Sequence, residues 1–181
     1  MTGGRRLARR TTVAASQGLL EIEPLLVRDT EDLLAAMRLA SRQPSTRVVG
    51  VVDEDGRLTG VVPVAVLAEA VVAHAVPEAF FTDLGDVSDI GRFAHAIQAR
   101  TIGEIAEPPV AVTSERTISD AFRLMHQGRL SGLYVVDAEG RPAGYLDLQE
   151  LAMRYVEALE EEQGATATTL DEVQDPPTTP R

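Results

Sequence analysis

Val51-Val52-Asp53-Glu54-Asp55-Gly56-Arg57-Leu58-Thr59-Gly60 and Val135-Val136-Asp137-Ala138-Glu139-Gly140-Arg141-Pro142-Ala143-Gly144 are two versions of one phrase, set 84 residues apart. Each reads as a strand rich in β-formers, a tight turn whose glycine supplies a positive φ, and a return strand. Upstream the match continues at an offset of 85. Val27, Leu33, Ala36, Arg38 and Leu39 stand opposite Val112, Ile118, Ala121, Arg123 and Leu124. A one-residue indel between helix and strand reconciles the two offsets, so the chain is one strand-helix-strand-strand-helix unit written twice.

In the second copy Val110-Ala111-Val112 predicts a short strand. Thr117 then opens a helix, with Asp120 at capping-box spacing, and Gly128 is a candidate stop. Ile118, Ala121, Phe122, Leu124 and Met125 recur at helical spacing through Gln127. Gly132–Asp137 and Gly144–Leu146 form the hairpin, and Asp147 begins a helix that turns Leu148, Leu151, Ala152 and Tyr155 inward. The first copy repeats the plan: strand Leu25–Val27, a helix from Asp32, strands Val48–Val52 and Leu58–Val62, and a helix over Val64–Ala73.

Neither copy is large enough for a comfortable core of its own, and each small sheet has an apolar face to hide. Two copies packed face to face hide both, with pseudo-twofold symmetry and a cleft at each end of the seam. The expected class is α/β in the broad sense (α+β), with small mixed sheets flanked by helices. Residues 19–75 form the first repeat and 110–159 the second. Residues 76–109 form a helical connector, with a helix from about Ile90 to Arg100 and a helical turn at Ile102 to Ala106. Residues 1–18, with Arg5, Arg6, Arg9 and Arg10, read as a disordered basic arm, and 160–181 as a disordered acidic, Pro- and Thr-rich tail.

The formal net charge of −11 argues against a general nucleic-acid or anionic-membrane binder, whose affinity comes from basic charge. The absence of Cys removes disulfides, thiolate nucleophiles and zinc ribbons, and fits a reducing cytoplasm. Leu19 to Leu26, interrupted by Glu21, Glu23 and Pro24, makes a poor signal peptide. Leu58–Phe81 has the length of a membrane span but holds Pro63, Glu69, His74 and Pro77, so it reads as a buried strand followed by a core-facing helix.

Nothing is assembled like an active site. The chain has no Lys, no Gly-x-Ser-x-Gly elbow and no phosphate-binding glycine loop. Asp53-Glu54-Asp55-Gly56 resembles the start of a calcium loop, but its twelfth position is Val64 where a bidentate Glu is needed. His74, His95 and His126 lack metal-ligand spacing.

The doubled phrase, a strand ending in Val-Val-Asp, an acidic-Gly turn, then Gly and two hydrophobics leading into a helix, resembles the tandem CBS-domain pair, or Bateman module. The resemblance covers about Leu25 to Leu159. It implies a regulatory, non-catalytic module that binds adenine nucleotides or adenosyl compounds (AMP, ADP, ATP or S-adenosylmethionine) between the repeats. It also implies further association into a homodimer and signalling to an effector, here expected on a separate protein.

The family's ligand signature is Gly, two hydrophobics, Thr or Ser, two variable residues and Asp. A carboxylate suits the ribose hydroxyls, and a small hydroxyl at a helix N-terminus suits phosphate. The first copy reads Gly60-Val61-Val62-Pro63-Val64-Ala65-Val66 and lacks both groups. The second reads Gly144-Tyr145-Leu146-Asp147-Leu148-Gln149-Glu150, with Glu150 at the ribose position and Asp147 in place of the hydroxyl. An anion there repels phosphate unless a cation intervenes, and Asp147 and Glu150 also have the spacing of a helix N-cap and its third residue. The resemblance places adenine against Ala111, Val112 and Leu133, ribose on Glu150, and Arg129 or Arg154 near phosphate. A ligand-independent dimerisation or interaction scaffold is the alternative.

Overall fold

The computed structural model describes residues 11–17, 22–75, 97–157 and 160. The arginine cluster, His95, most of the helix expected from Ile90 and the tail beyond residue 160 lie outside the described residues. The chain enters through helix α1 (Val13–Gln17). In the first repeat β1 (Leu26–Arg28), helix α2 (Leu33–Arg42), β2 (Val48–Val52), β3 (Leu58–Pro63) and helix α3 (Val64–Ala75) follow in order. A short 3-10 turn, Ile102–Ile105, leads to β4 (Ala111–Thr113), helix α4 (Ile118–Gly128), β5 (Gly132–Val136), β6 (Pro142–Asp147) and helix α5 over 148–157.

The two sheets, β1-β2-β3 and β4-β5-β6, share one design. The first two strands of each run parallel, joined through a helix, and the third returns antiparallel through the acidic-Gly turn. In those turns Gly56 and Gly140 take φ of 77° and 80°. Asp53 Oδ1 accepts from the amides of Asp55 and Arg57, and Asp137 Oδ1 from those of Glu139 and Arg141. Helix starts are fixed locally too. Asp32 accepts from the amides of Leu34 and Ala35, and Thr117 and Asp120 complete the capping box. Gly128 is the last residue of α4, and the left-handed position that ends the helix falls on Arg129, at φ 51°.

Strand periodicity divides the core into three. Val49, Val51 and Val62 face the helices of the first repeat, while Leu133, Val135 and Leu146 face those of the second. The alternate residues Val48, Val61, Tyr134 and Tyr145, with Leu130, form the seam between the sheets. At its centre stands Gly50, the counterpart of Tyr134 at the 84-residue offset. A Cβ on Gly50 would lie 2.7 Å from Tyr134 Cζ and 2.8 Å from Leu26 Cδ2. The Tyr134 hydroxyl lies 2.7 Å from the Leu25 carbonyl and 2.8 Å from that of Val48, and its single proton serves these two acceptors. Tyr145 meets Tyr134 edge-to-face at 5.3 Å, and its hydroxyl accepts from the Arg47 amide.

The copies are also tied at both ends. Arg57 Nε donates to the Glu139 carbonyl and Arg141 Nε to that of Asp55, a reciprocal pair that expresses the pseudo-twofold at single atoms. In addition, each copy's leading segment docks on the other copy. Ile102 donates to the Glu31 carbonyl and Leu33 to that of Arg100, with Ile102 buried in the first core. Correspondingly, Val13 donates to the Arg116 carbonyl and Ile118 to that of Thr11, with Val13 buried in the second core. Residues 11–17, expected in a disordered arm, are therefore structural in this part. Val13 closes an apolar surface that the second repeat cannot cover by itself.

Two outcomes follow from the seam. Gly50→Ala should cost about 1–3 kcal/mol, read from the urea midpoint, because it would strike the fully buried Tyr134 ring. Burial raises the phenol pKa of Tyr134 above its ordinary value of 10.0, and that of Tyr145 to about 12. A raised folded pKa leaves stability intact below about pH 10, where unfolded tyrosines are protonated. Above it, stability falls by up to about 1.4 kcal/mol per pH unit for each tyrosine. In a Tyr155→Phe chain, which leaves only the two seam tyrosines, phenolate absorbance and loss of circular dichroism should therefore rise together in an alkaline titration, and separate transitions would contradict this.

Candidate functional site

The end of β6 and the start of α5 form one wall of a cleft whose other wall comes from the first repeat. Asp147 is the N-cap of α5. Its Oδ1 accepts from the amides of Gln149 at 2.9 Å and Glu150 at 3.1 Å, so the capping role read from the spacing is real. Its side chain is only 5% exposed. Oδ2 has no hydrogen-bond donor among the described residues. Across the seam Arg47, on the segment entering β2, brings Nε to 3.6 Å from Oδ2 and bonds Gln149 Oε1 through its terminal nitrogen. This contact balances charge without making a hydrogen bond to Oδ2. Ile22, Ser45 and Arg47 from the first copy, with Asp147, Gln149 and Glu150 from the second, line an open cavity of about 320 Å³.

Asp147 and Glu150 thus sit together as the sequence pattern expected. Glu150 is partly exposed, 3.8 Å from Arg154, which also pairs with Glu157 on α5. Ala111 is half-buried against the seam cluster, which Ile22 also joins. Val112 and Leu133 are buried in the second core, on the helix side of the sheet, behind Ala111 rather than on the cavity wall. Arg129 is exposed and is the counterpart of Ser45 at the 84-residue offset. Since Ser45 lines this cleft from the opposite copy, the pseudo-symmetry assigns Arg129 to the other end of the seam. The cation beside Asp147 is Arg47. Its signal in the sequence was indirect, namely that a carboxylate at the hydroxyl position calls for a cation.

At the other end the corresponding positions are Pro63 and Val66, which offer neither hydroxyl nor carboxylate. Beside them Val61 and Glu107 exchange two backbone hydrogen bonds of 3.0 Å. Gly60 permits this approach, since a Cβ there would stand 2.8 Å from that of Ala106. Among the described residues there is no group of side chains arranged to hold a metal ion, and no helix long and apolar enough to cross a membrane.

The family model for the CBS domain matches residues 19–73 and again 102–157. The chain belongs to the CBS domain family. The expected recognition and the α/β fold of two small, helix-flanked sheets are both borne out. Among solved structures it is similar to a CBS domain-containing protein from Thermotoga maritima, at 22% identity and a TM-score of 0.63 over 80% of this chain and 93% of that one. It is similar to the CBS domain pair of protein MJ0100 in complex with 5′-methylthioadenosine and S-adenosyl-L-methionine, at 17% identity and a TM-score of 0.59, covering 82% and 98%. It is also similar to CBSX2 of Arabidopsis thaliana in complex with AMP, at 20% identity and a TM-score of 0.57, covering 82% and 98%. At these identities the likeness shows the fold. No curated protein matches the sequence.

The cap makes a direct prediction for this CBS pair. Asp147→Asn, which retains a capping oxygen, should stay within about 0.5 kcal/mol of the native chain in urea unfolding, whereas Asp147→Ala should cost about 1–2 kcal/mol.

Proposed function

We propose that this CBS pair is a cytoplasmic regulatory module, a binder rather than a catalyst. It takes an adenine nucleotide or adenosyl metabolite in the cleft at Asp147 and Glu150 and signals to a separate partner protein. The observation that carries the reading is that both copies wall one polar cavity, with a carboxylate at the ribose position and Ile22 and Ala111 joining the apolar seam cluster beside it. Solved pairs of the same fold hold AMP, S-adenosyl-L-methionine and 5′-methylthioadenosine, which supports this ligand class. Glu150 would accept from the ribose hydroxyls, the base would lie on the Ile22 and Ala111 side, and Val112 and Leu133 would back that wall.

Because Arg47 belongs to one copy and Asp147 and Gln149 to the other, a ligand between them acts on the packing of the copies. That coupling is the means by which occupancy would reach a partner, since only a ligand with differential affinity for two arrangements shifts their balance. A homodimer is the proposed assembly. A second reading, a ligand-independent scaffold, draws on exposed apolar side chains, with Leu34 and Met153 each 54% exposed.

A thermal-shift panel of AMP, ADP, ATP, S-adenosylmethionine and adenosine separates the two readings. A ligand at a hundred times its dissociation constant stabilises by about 2.7 kcal/mol. At least one member should raise Tm, and Glu150→Ala should abolish that shift. A silent panel from a dimeric chain would select the scaffold.

A further inference from the structure

We infer that Asp147 makes this cleft selective for an adenosine derivative without phosphate, one that presents a hydroxyl or amine donor to Asp147 Oδ2. The inference rests on the adenosine-type reading above and narrows it. Oδ1 is already used by the amides of Gln149 and Glu150, so it is saturated by the helix start. Oδ2 is buried and receives no hydrogen bond among the described residues, and it belongs to a side chain, 5% exposed, that lines the cavity. A buried acceptor without a donor is costly, and a ligand that supplies the donor recovers that cost on binding. An arriving hydroxyl or amine is thus rewarded at this atom.

A phosphate meets the opposite situation. The amides at the start of α5, which would otherwise attract an anion, are covered by the carboxylate of Asp147. Glu150 adds a second carboxylate to the same wall. Arg47 is the one cation among the described residues that line the cavity, and its guanidinium already pairs with Asp147 and bonds Gln149. Engaging phosphate would strip Asp147 of its charge partner and set an anion beside its buried carboxylate. Specificity here comes from what is repelled as much as from what is bound.

Adenosine and AMP, which differ only by the phosphate, form the test. Calorimetric titration of the full chain should show adenosine binding about tenfold tighter than AMP or better. Asp147→Thr, which keeps a capping oxygen and removes the carboxylate, should improve AMP binding by about tenfold and close the gap. Asp147→Asn, which removes the charge at nearly constant shape, should move the ratio the same way and covers the case in which the threonine variant does not fold. AMP binding as tightly as adenosine to the native chain, or a ratio unmoved in the variants, overturns the selectivity while leaving an adenosine-type site in place. Silence of both ligands in every folded form overturns the selectivity, and together with a silent thermal-shift panel it overturns the proposed function as well.

Discussion

Tyr134 fills the space that a side chain at residue 50 would need, and the union of the two repeats depends on this fit. The positions are counterparts across the pseudo-twofold, so a strictly symmetric seam would set tyrosine against tyrosine or glycine against glycine. The first would clash, and the second would leave a void where interiors tolerate few. One large and one absent side chain resolve the conflict. The buried hydroxyl this introduces is satisfied by backbone carbonyls of the first copy, so the seam also specifies register. Gly132 makes the equivalent space for the Tyr145 hydroxyl within the second sheet.

Around that centre the copies are interleaved rather than merely stacked. The segment ahead of each repeat completes the core of the other, through Val13 on one side and Ile102 on the other. Neither half is whole without residues that belong to its partner's end of the chain. A similar crossing composes the cleft at Asp147, which takes its helix N-terminus from one copy and its opposing loop from the other. A group bound there touches both halves of the molecule at once, and geometry of this kind lets a small ligand influence how two packed units sit.

Much of the fold was legible beforehand, because it follows from short-range physics. Runs of β-formers marked the strands, periodicity near 3.6 the helices, and Asp53, Asp137, Thr117 and Asp147 announced turns and caps within a few residues of themselves. The site was half legible. Asp147 and Glu150 lie three residues apart on one helix start, so their spacing alone brought them together. Arg47 escaped because its partner is on the other repeat, and Arg129, which the resemblance suggested for phosphate, is not among the residues that line the cavity. Val13 was hidden for the same reason: a short apolar stretch after a basic run looks solvated until its receptor surface is known.

The sequence by itself determined the duplication, the secondary structure, the turns and the absence of a hydroxyl and a carboxylate at Pro63 and Val66 of the first copy. These are set by steric and hydrogen-bonding preferences that act over a few residues. Only the tertiary structure decided which side chains meet across the seam: Gly50 with Tyr134, Arg47 with Asp147, Val13 with the second core. Those meetings depend on how two apolar faces settle against each other. That is a property of shape and volume summed over the whole interface, and no local stretch of the chain carries it.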